Sequence, residues 1–567
     1  MRILPDFVNP RASLCRTGGV MRGAGRSLMI GAFHPHRRRA HPTTLVSRTL
    51  LKSTAVTGGM TLISRITGLI RDVAFAHVIG ASAGVAADAF FVAFRIPNFF
   101  RRIFAEGAFS QAFVPVYSEH SDRVTAQERQ AFLDHVSGAL GAIVIVVTLI
   151  GVIAAPLVVT LLAPGFLGTP EKYELTVRIL RIVFPYLAFI SLVALAAGVL
   201  NTHGRFAVPA FTPVLLNLCL IAAALWLAPV LGNAGLALAW GVLIAGVVQL
   251  LFQLPFLQRV RALPRPRIAW RNRGVARVFR LMLPAVFGSS VAQINMLVNT
   301  LLASFLVTGS VSWLYYSDRL MEFPLGVFGI ALATVILPTL SRKHISASRE
   351  EFSQLLDWAL RWVCIIAIPA ALGLMVLAGP ILATLFQYGR FTPVDVEMTA
   401  RALIAFAFGL PGFTLVKILA SGFYARQNTG TPARIAAVSF GANIVLALAL
   451  VYPLAHVGLA LSISLAAFIN AGWLFRLLHK DHVYVPASGW GKFFLRIALA
   501  SGVMALVIGW GAGSLSSWLE ADFLSRVSRL VLWITTGVLV YSASIFILGI
   551  RTKELLLRRK GQLEGDG

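Results

Sequence analysis

The sequence predicts an all-α polytopic membrane protein with about 14 transmembrane helices, arranged as two six-helix lobes in a parallel pseudo-twofold repeat plus two C-terminal helices. Three observations predict this class: the composition, the spacing of the apolar runs and a repeat along the chain. Of the 567 residues, 57% are hydrophobic and only 13% are charged. Soluble domains are nearer half apolar and a quarter charged, which excludes an ordinary soluble fold.

Fourteen apolar runs follow one another along most of the chain. Each is near or above the ~20 residues that a helix needs to cross ~30 Å of hydrocarbon. The runs lie at roughly 54–79, 85–116, 136–163, 174–200, 207–231, 233–257, 275–306, 311–340, 353–386, 398–424, 431–453, 456–478, 492–518 and 527–550. We number the predicted spans 1 to 14 in this order.

Many of the basic residues lie in the connections between these runs. The formal net charge is +27, which in a soluble protein would suggest a nucleic-acid partner. Here the connection 258–274 holds six arginines and no acid, whereas alternate connections such as 80–84 and 307–310 hold no charged residue. Because cytoplasmic loops are the basic ones, the alternation predicts that both termini are cytoplasmic and argues against a nucleic-acid partner.

The chain also repeats itself at an offset of about 223 residues. Four pairs of landmarks match in this way: Pro115 with Pro338, Pro209-Ala210 with Pro432-Ala433, Gly235–Leu238 with Gly458–Leu461, and Ala155-Pro156 with Gly379-Pro380. The last pair differs by 224, which is consistent with one inserted residue. The copies cover spans 1–6 and 7–12, and because six is even, both copies enter the membrane from the same side. This arrangement favours a transporter that binds substrate between the lobes over a duplicated scaffold or channel.

These patterns divide the chain into six segments. They are a basic cytoplasmic N-terminal extension at 1–49 that we expect to be disordered, an N-terminal lobe at 50–258, a basic cytoplasmic linker at 259–274, a C-terminal lobe at 275–480, two further helices within 481–555, and a cytoplasmic tail at 556–567.

Nothing in the sequence indicates covalent chemistry. Cys15, Cys219 and Cys364 lie far apart and match neither a metal-ligand spacing nor a disulfide framework. The histidines form no metal constellation, and no Gly-x-x-x-x-Gly-Lys-Ser/Thr run occurs. We therefore expect a transporter without catalytic residues, metal or cofactor, whose cycle ATP does not drive directly.

Charged residues interrupt some of the apolar runs. A charge at bilayer depth costs roughly 2.5–3.5 kcal/mol, yet spans 1, 2, 8 and 10 contain Arg65, Arg71, Asp72, Asp88, Arg95, Arg101, Arg102, Glu106, Asp318, Arg319, Glu322 and Lys417. Part of this set can form internal ion pairs, such as Arg319 with Glu322. Spans 1 and 2, however, hold five arginines against three acids. The excess favours an anionic ligand, and guanidinium groups suit phosphate oxygens.

Three long motifs resemble the MurJ/MviN family. They are ADAFFVAFRIPN at 87–98, RRIFAEGAFSQAFVP at 101–115 and SVSWLYYSDRLMEFP at 310–324, with LFQYG at 385–389 and GFY at 422–424 as further landmarks. The resemblance covers about residues 50–555. It implies a lipid II flippase of the bacterial inner membrane, which moves undecaprenyl-diphosphate-linked disaccharide-pentapeptide from the cytoplasm to the periplasm. It also implies that the two C-terminal helices form a groove for the polyprenyl tail.

The same resemblance assigns roles to residues. It implies that the diphosphate is bound by Arg65, Arg71, Arg101 and Arg319, with a supporting set of cavity residues made up of Asp72, Asp88, Arg95, Asn98, Arg102, Glu106, Asp318 and Glu322. Some relatives bind sodium at a carboxylate in helix 7. Span 7 here has Asn295 and Asn299 but no acid, so the coupling ion stays unassigned.

Three other functions remain open on the residues alone. An exporter of another polyprenyl-linked glycan differs from a lipid II flippase only in the family motifs. A membrane-embedded glycan transferase needs a sizeable outer loop, and the predicted outer connections are short. A non-transporting scaffold does not need surplus arginines within the membrane.

Overall fold

The computed structural model describes residues 48–101, 109–123, 125–269, 272–326 and 349–550. Within these ranges every regular element is helical, which confirms the predicted all-α class. The first half contains α1 Arg48–Ile79, α2 Ala86–Phe100, α3 Phe109–Arg123, α4 Ala126–Ile153, α5 Ala155–Leu162, α6 Pro170–Val183, α7 Tyr186–Thr202, α8 Ala207–Ala222, α9 Ala228–Leu231 and α10 Ala234–Arg259.

The second half continues in the same manner. It contains α11 Arg273–Ser304, α12 Ser310–Pro324, α13 Arg349–Val376, α14 Ala378–Phe386, α15 Pro393–Phe408, α16 Leu410–Tyr424, α17 Gly430–Lys480, α18 Trp490–Ala512, α19 Ser516–Leu519 and α20 Phe523–Ile547. A short 3₁₀ turn at Pro164–Gly168 follows α5, and a π turn at Ala223–Leu227 joins α8 to α9. The predicted N-terminal extension and C-terminal tail lie almost entirely outside the described residues.

Nine helical segments of the described chain are long and apolar enough to cross a membrane. The chain is therefore a multi-pass membrane protein. One segment, α17, has 51 residues, about 76 Å at 1.5 Å per residue, more than twice the hydrocarbon thickness. The total of 14 spans stays a prediction, because several of the charged spans fall below this apolar threshold or run into residues that are not described.

A sharp turn divides α17 into two spans. Ala455 has non-helical torsions, with φ 49° and ψ −129°. A Cβ built on Gly458 would lie 2.1 Å from the carbonyl oxygen of Leu450, although residues eight apart in a straight helix are separated by about 12 Å. The chain therefore doubles back here, and this confirms the break predicted at 454–455.

The basic linker after α10 is docked onto the start of α4. Asp134 is buried, and its Oδ1 accepts a hydrogen bond from the backbone N–H of Arg265 at 2.8 Å. The N–H of Arg267 donates to the carbonyl oxygen of Asp134 at 3.0 Å. Gly138, one turn further along α4, lies so close to the carbonyl of Arg267 that a Cβ there would be 2.3 Å from its oxygen. The linker is thus held by backbone contacts.

A second linker, at 481–489, is docked in the same way 223 residues later. Asp357 is buried, and its Oδ1 accepts hydrogen bonds from the Tyr484 hydroxyl at 2.8 Å, the Ala487 N–H at 3.2 Å and Trp490 Nε1 at 2.7 Å. Burial, together with the hydrogen bond to Asp357, raises the pKa of Tyr484 well above its ordinary value. Asp134 and Asp357 hold equivalent places, as a duplicated fold requires. The lobe boundaries at 258 and 480 remain a prediction.

Candidate functional site

The guanidinium of Arg71 of α1 makes four hydrogen bonds. Its guanidinium donates from Nε and Nη2 to Asp72 Oδ1 at 3.0 and 2.7 Å, from Nη1 to Asn217 Oδ1 at 3.0 Å, and from Nη2 to the Tyr315 hydroxyl at 3.1 Å. The Tyr315 hydroxyl in turn donates to Asp72 at 2.9 Å. Arg71 and Asp72 are both buried. Side chains of α1, α8 and α12 therefore meet at one point and fix the orientation of Arg71.

Arg319 of α12 lies on the accessible side of this point. Its Nε is 3.3 Å from Asp72 Oδ2, and its Nη1 donates to Glu322 Oε2 at 2.9 Å. The side chain of Arg319 is 36% exposed, compared with 5% for Arg71. The local pair with Glu322 confirms the ion pair predicted from the sequence. Arg319 is the better placed of the two arginines to meet a ligand.

Two further cations complete the group. The guanidinium of Arg65 packs against the chain just beyond the end of α12, where a Cβ built on Gly326 would lie 2.1 Å from Nη1. Lys417 of α16 interacts electrostatically with Arg65 and Glu322. We call Arg65, Arg71, Asp72, Asn217, Tyr315, Arg319, Glu322 and Lys417 the guanidinium cluster.

The charges of the guanidinium cluster do not balance. It contains four cations, Arg65, Arg71, Arg319 and Lys417, but only two carboxylates, Asp72 and Glu322. Asp72 lies between Arg71 and Arg319, and Glu322 pairs with Arg319. Neither Arg65 nor Lys417 has a side-chain hydrogen bond or ion pair with any residue in the described part of the chain. Within this set of residues the cations therefore outnumber the carboxylates by two.

Arg95 of α2 contacts another helix, whereas Arg101, just after α2, contacts α2 itself. Arg95 Nη1 donates to Thr300 Oγ1 of α11, and Arg95 interacts electrostatically with Asp318, whose side chain is exposed. Arg101 Nε donates to Asn98 Oδ1 at 2.8 Å. Arg102 and Glu106 lie outside the described residues. Arg95 thus adds a further positive charge between α2 and α11.

Asp88, also on α2, contacts the start of α12. Its carboxylate lies 2.7 Å from Lys172 Nζ and accepts hydrogen bonds from Gly309 N at 2.8 Å, Ser312 N at 3.0 Å and Ser312 Oγ at 2.6 Å. Asp88 is 1% exposed. A carboxylate is favourable at this position because the first N–H groups of a helix have no partner within the helix.

Asp395 makes a comparable contact, but here the carboxylate belongs to the second half of the chain and the N–H group to the first half. This buried carboxylate begins α15, where it forms a capping box with Thr392. Its Oδ1 also accepts hydrogen bonds from the Ser82 N–H at 3.1 Å, just before α2, and from Trp313 Nε1 at 2.8 Å. Asp88 and Asp395 therefore bind the two halves of the chain to each other.

Three glycines bring the backbones of the two halves into direct contact. A Cβ on Gly165 would lie 2.2 Å from the carbonyl oxygen of Ser304, one on Gly389 would lie 2.3 Å from that of His77, and one on Gly80 would lie 2.4 Å from that of Arg390. Gly165 and Gly389 are 224 residues apart, the offset already seen in the sequence repeat. We call the contacts of Asp88, Asp395, Gly80, Gly165 and Gly389 the seam.

Comparisons with known proteins identify a family. A family model described as "Lipid II flippase MurJ" matches residues 75–528. The chain belongs to the MurJ family. A relative from Vibrio cholerae described as "Probable lipid II flippase MurJ" is 48% identical over 517 residues, which cover 90% of this chain and 98% of the relative. A Burkholderia cenocepacia protein described as "Lipid II flippase MurJ" is 43% identical over 510 residues, covering 88% and 98%.

A solved structure has the same fold. The structure titled "Lipid II flippase MurJ, inward closed conformation" aligns with a TM-score of 0.73 and 28% sequence identity. It covers 88% of this MurJ-family chain and 100% of the solved chain. The family resemblance found in the motifs is therefore confirmed in both sequence and structure.

The structure brings together part of the predicted site. Arg65, Arg71, Asp72, Arg319 and Glu322 meet in the guanidinium cluster, whereas Asp88 lies in the seam. Sequence reasoning did not assign Asn217, Tyr315 or Lys172 a role. A single asparagine in the apolar span 207–231 and a lysine beside span 4 were signals available in the sequence, but their partners lie more than 80 residues away.

Proposed function

We propose that this MurJ-family protein is a lipid II flippase of the bacterial inner membrane, with both termini in the cytoplasm. It carries the undecaprenyl-diphosphate-linked peptidoglycan precursor from the cytoplasmic to the periplasmic leaflet by alternating access and catalyses no covalent step. Support for the substrate comes from relatives of nearly the same length that are named lipid II flippases. The observation that carries the mechanism is the surplus of two positive charges in the guanidinium cluster.

The diphosphate binds at this surplus. A diphosphate diester is a dianion, so it neutralises the charge that Asp72 and Glu322 leave unbalanced. The guanidinium of Arg319 is more accessible than that of Arg71. Arg65 and Lys417 have no carboxylate at ion-pair distance among the described residues. Arg71 adds charge from a fixed position behind Asp72, and Arg101 extends the positive surface along α2. Planar guanidinium donors match phosphate oxygens in pairs.

The polyprenyl tail stays in lipid against the C-terminal helices. The apolar window of α20 is only 6% buried by the rest of the protein. Its exposed side chains include Leu524, Leu532, Leu539 and Phe546. An exposed apolar surface at bilayer depth can contact an isoprenoid chain as well as it contacts lipid. In the groove that the family resemblance implies within 481–555, the tail remains in the membrane while the headgroup crosses.

The seam closes one end of the pathway. The predicted topology places the connections 80–84 and 307–310 in the periplasm, so the seam is the periplasmic gate. Breaking the seam while the cytoplasmic ends come together moves the headgroup across without opening a continuous channel. Membrane potential then helps the empty, positively charged cluster to return, at about 2.3 kcal/mol per charge per 100 mV.

Translocation by purified variants in proteoliposomes tests this proposal. Arg319→Ala removes a charge-assisted contact worth about 1.5–3 kcal/mol, so we expect lipid II translocation to fall about tenfold or more. Arg178→Ala is the matched control, because Arg178 is 68% exposed and pairs only weakly with Glu174 at 3.8 Å. Normal translocation by Arg319→Ala would contradict the diphosphate site.

The same vesicles distinguish the nearest alternative function. They are loaded with a polyprenyl-diphosphate that carries a different glycan, and its translocation is compared with that of lipid II. A flippase for lipid II moves only the peptidoglycan precursor efficiently. Equal rates for both lipids would favour a broader exporter of polyprenyl-linked glycans.

A further inference from the structure

The connection at 387–391 lies between two parts of the molecule. On one side it forms half of the seam, where the Arg390 N–H donates to the carbonyl oxygen of His77 at 3.0 Å. On the other side it contacts the C-terminal helices. Gln387 Nε2 donates to the carbonyl oxygen of Leu519 at 3.2 Å, and the Tyr388 ring meets the Phe523 ring edge-on at 6.0 Å. Five residues therefore join the seam to α19 and α20.

Arg526 of α20 is the centre of the second contact. Its Nη1 donates to the carbonyl oxygens of Ala383 at 3.0 Å and Gln387 at 3.5 Å, and its Nη2 donates to that of Leu519 at 2.7 Å. Its guanidinium carbon lies 5.8 Å from the centre of the Tyr388 ring. Arg526 is 6% exposed and has no ion pair with a carboxylate in the described part of the chain.

The carbonyls explain why a buried cation is stable there. Ala383 and Gln387 lie in and just after the last turn of α14, and Leu519 ends α19. The last carbonyl groups of a helix lack partners within the helix and carry partial negative charge. Arg526 therefore satisfies carbonyls at the ends of two separate helices. Its position fixes α14, and with it the start of the 387–391 connection, against α20.

The equivalent connection in the first half has no such contact with α19 and α20 in the described part of the chain. The turn at Pro164–Gly168 packs against α5, α6 and α11 among the helices that the structure describes. Gly165 makes the seam contact with Ser304, as Gly389 does with His77. Within the described part of the chain, only the 387–391 side has hydrogen bonds and a ring contact with the C-terminal helices. The duplicated contact has therefore acquired a connection that its counterpart does not have.

We propose that Arg526 is a positioning residue that couples the two C-terminal helices to the seam. It holds the 387–391 connection in the place where Gly389 and Arg390 can close on His77. A displacement of α20 is then transmitted to the seam through the carbonyls of Ala383 and Gln387. This coupling rests on the proposed function in one respect only, namely that the ligand at the C-terminal helices is the polyprenyl tail.

A disulfide across the seam measures this coupling directly. His77 and Arg390 both have exposed side chains, and their backbones are joined by a hydrogen bond. His77→Cys and Arg390→Cys are combined in the full-length chain, in a background without its three native cysteines, and disulfide yield is measured in membranes after mild oxidation. Arg526→Gln is expected to lower the yield about tenfold, because it removes charge-assisted hydrogen bonds to the connection.

Arg529→Gln is the matched control on the same helix. Arg529 donates to the carbonyl oxygens of Ser517 and Ala512 and lies over the Trp518 ring, all within the C-terminal segment. We expect its disulfide yield to equal that of the parent. Arg526→Lys, which keeps the charge, is expected to recover part of the loss. Thermal unfolding of each variant separates a local effect from a general loss of stability.

Two results would overturn the proposal. One is an unchanged disulfide yield in Arg526→Gln, and the other is an equal loss in Arg529→Gln. Should Arg526→Gln not fold, Phe523→Ala weakens the same attachment at a side chain that is 61% exposed, and an unchanged yield there would also overturn it. The disulfide reports seam closure without lipid II, so failure of the flippase proposal would be seen separately, in translocation alone.

Discussion

Replacing Gly165 by alanine places a methyl group between the two halves of the chain. The added Cβ would lie 2.2 Å from the Ser304 oxygen, 2.4 Å from its carbonyl carbon and 2.6 Å from the Phe305 nitrogen. All three are backbone atoms, so no side-chain rotation relieves the overlap. The seam must separate by about 1 Å before the contact reaches an ordinary van der Waals distance.

The energetic cost follows from that separation. The Gly165 N–H donates to Ser304 Oγ at 3.1 Å, and losing this bond costs about 1 kcal/mol. Overpacking against atoms that cannot move adds about 1–3 kcal/mol. At the lower end of this sum, about 2 kcal/mol, the closed state of the seam becomes about 30-fold less favoured relative to the open state.

The disulfide between His77→Cys and Arg390→Cys measures the outcome on the opposite side of the seam. We expect a lower yield in Gly165→Ala than in the parent. Gly168→Ala lies in the same turn, where a Cβ meets nothing within 4 Å, and its yield should be unchanged. A parental yield in Gly165→Ala would refute the idea that the seam opens and closes as one unit.

Two further predictions concern buried carboxylates. Lys172→Met leaves Asp88 without its cation and should destabilise the protein by about 3–5 kcal/mol. Adding Asp88→Asn should recover much of this loss of stability in a denaturation assay. If the losses from the two single substitutions simply add, Lys172 and Asp88 are not a coupled pair. Asp357→Asn keeps the shape of the side chain but weakens the hydrogen bonds that it accepts from Tyr484 and Trp490. We expect it to lower the free energy of unfolding by about 1–3 kcal/mol, measured as a lower melting temperature. An unchanged melting temperature would show that the second linker is held by other contacts.

Sequence reasoning succeeded where the determinant is local. The break at 454–455 was predicted because an uncharged connection separates two apolar runs, and Ala455 has non-helical torsions there. The pair Arg319 with Glu322 was predicted from a three-residue spacing, which places both on one face of a helix. The offset of the repeat reappears in the structure, where Asp134 and Asp357, which the sequence analysis did not single out, dock the two linkers.

Other features of the site had no local signal. Arg71 is neutralised by its neighbour Asp72, but its orientation depends on Asn217 and Tyr315, which are 146 and 244 residues away. Asp88 has its partners at Lys172 and Ser312 and so lies in the seam. Arg526 had no local signal either, because its partner carbonyl at Ala383 lies 143 residues away.

The sequence by itself determined that this is a membrane protein, that its chain contains a repeat, and that spans 1 and 2 hold more arginines than acids. Composition, spacing and charge order are properties of the chain taken one segment at a time, because the bilayer acts on each segment separately. Only the tertiary structure decided which cations lie at ion-pair distance from a carboxylate and are neutralised. Neutralisation depends on distances of a few ångströms between helices that are far apart in sequence, and these distances are set by packing.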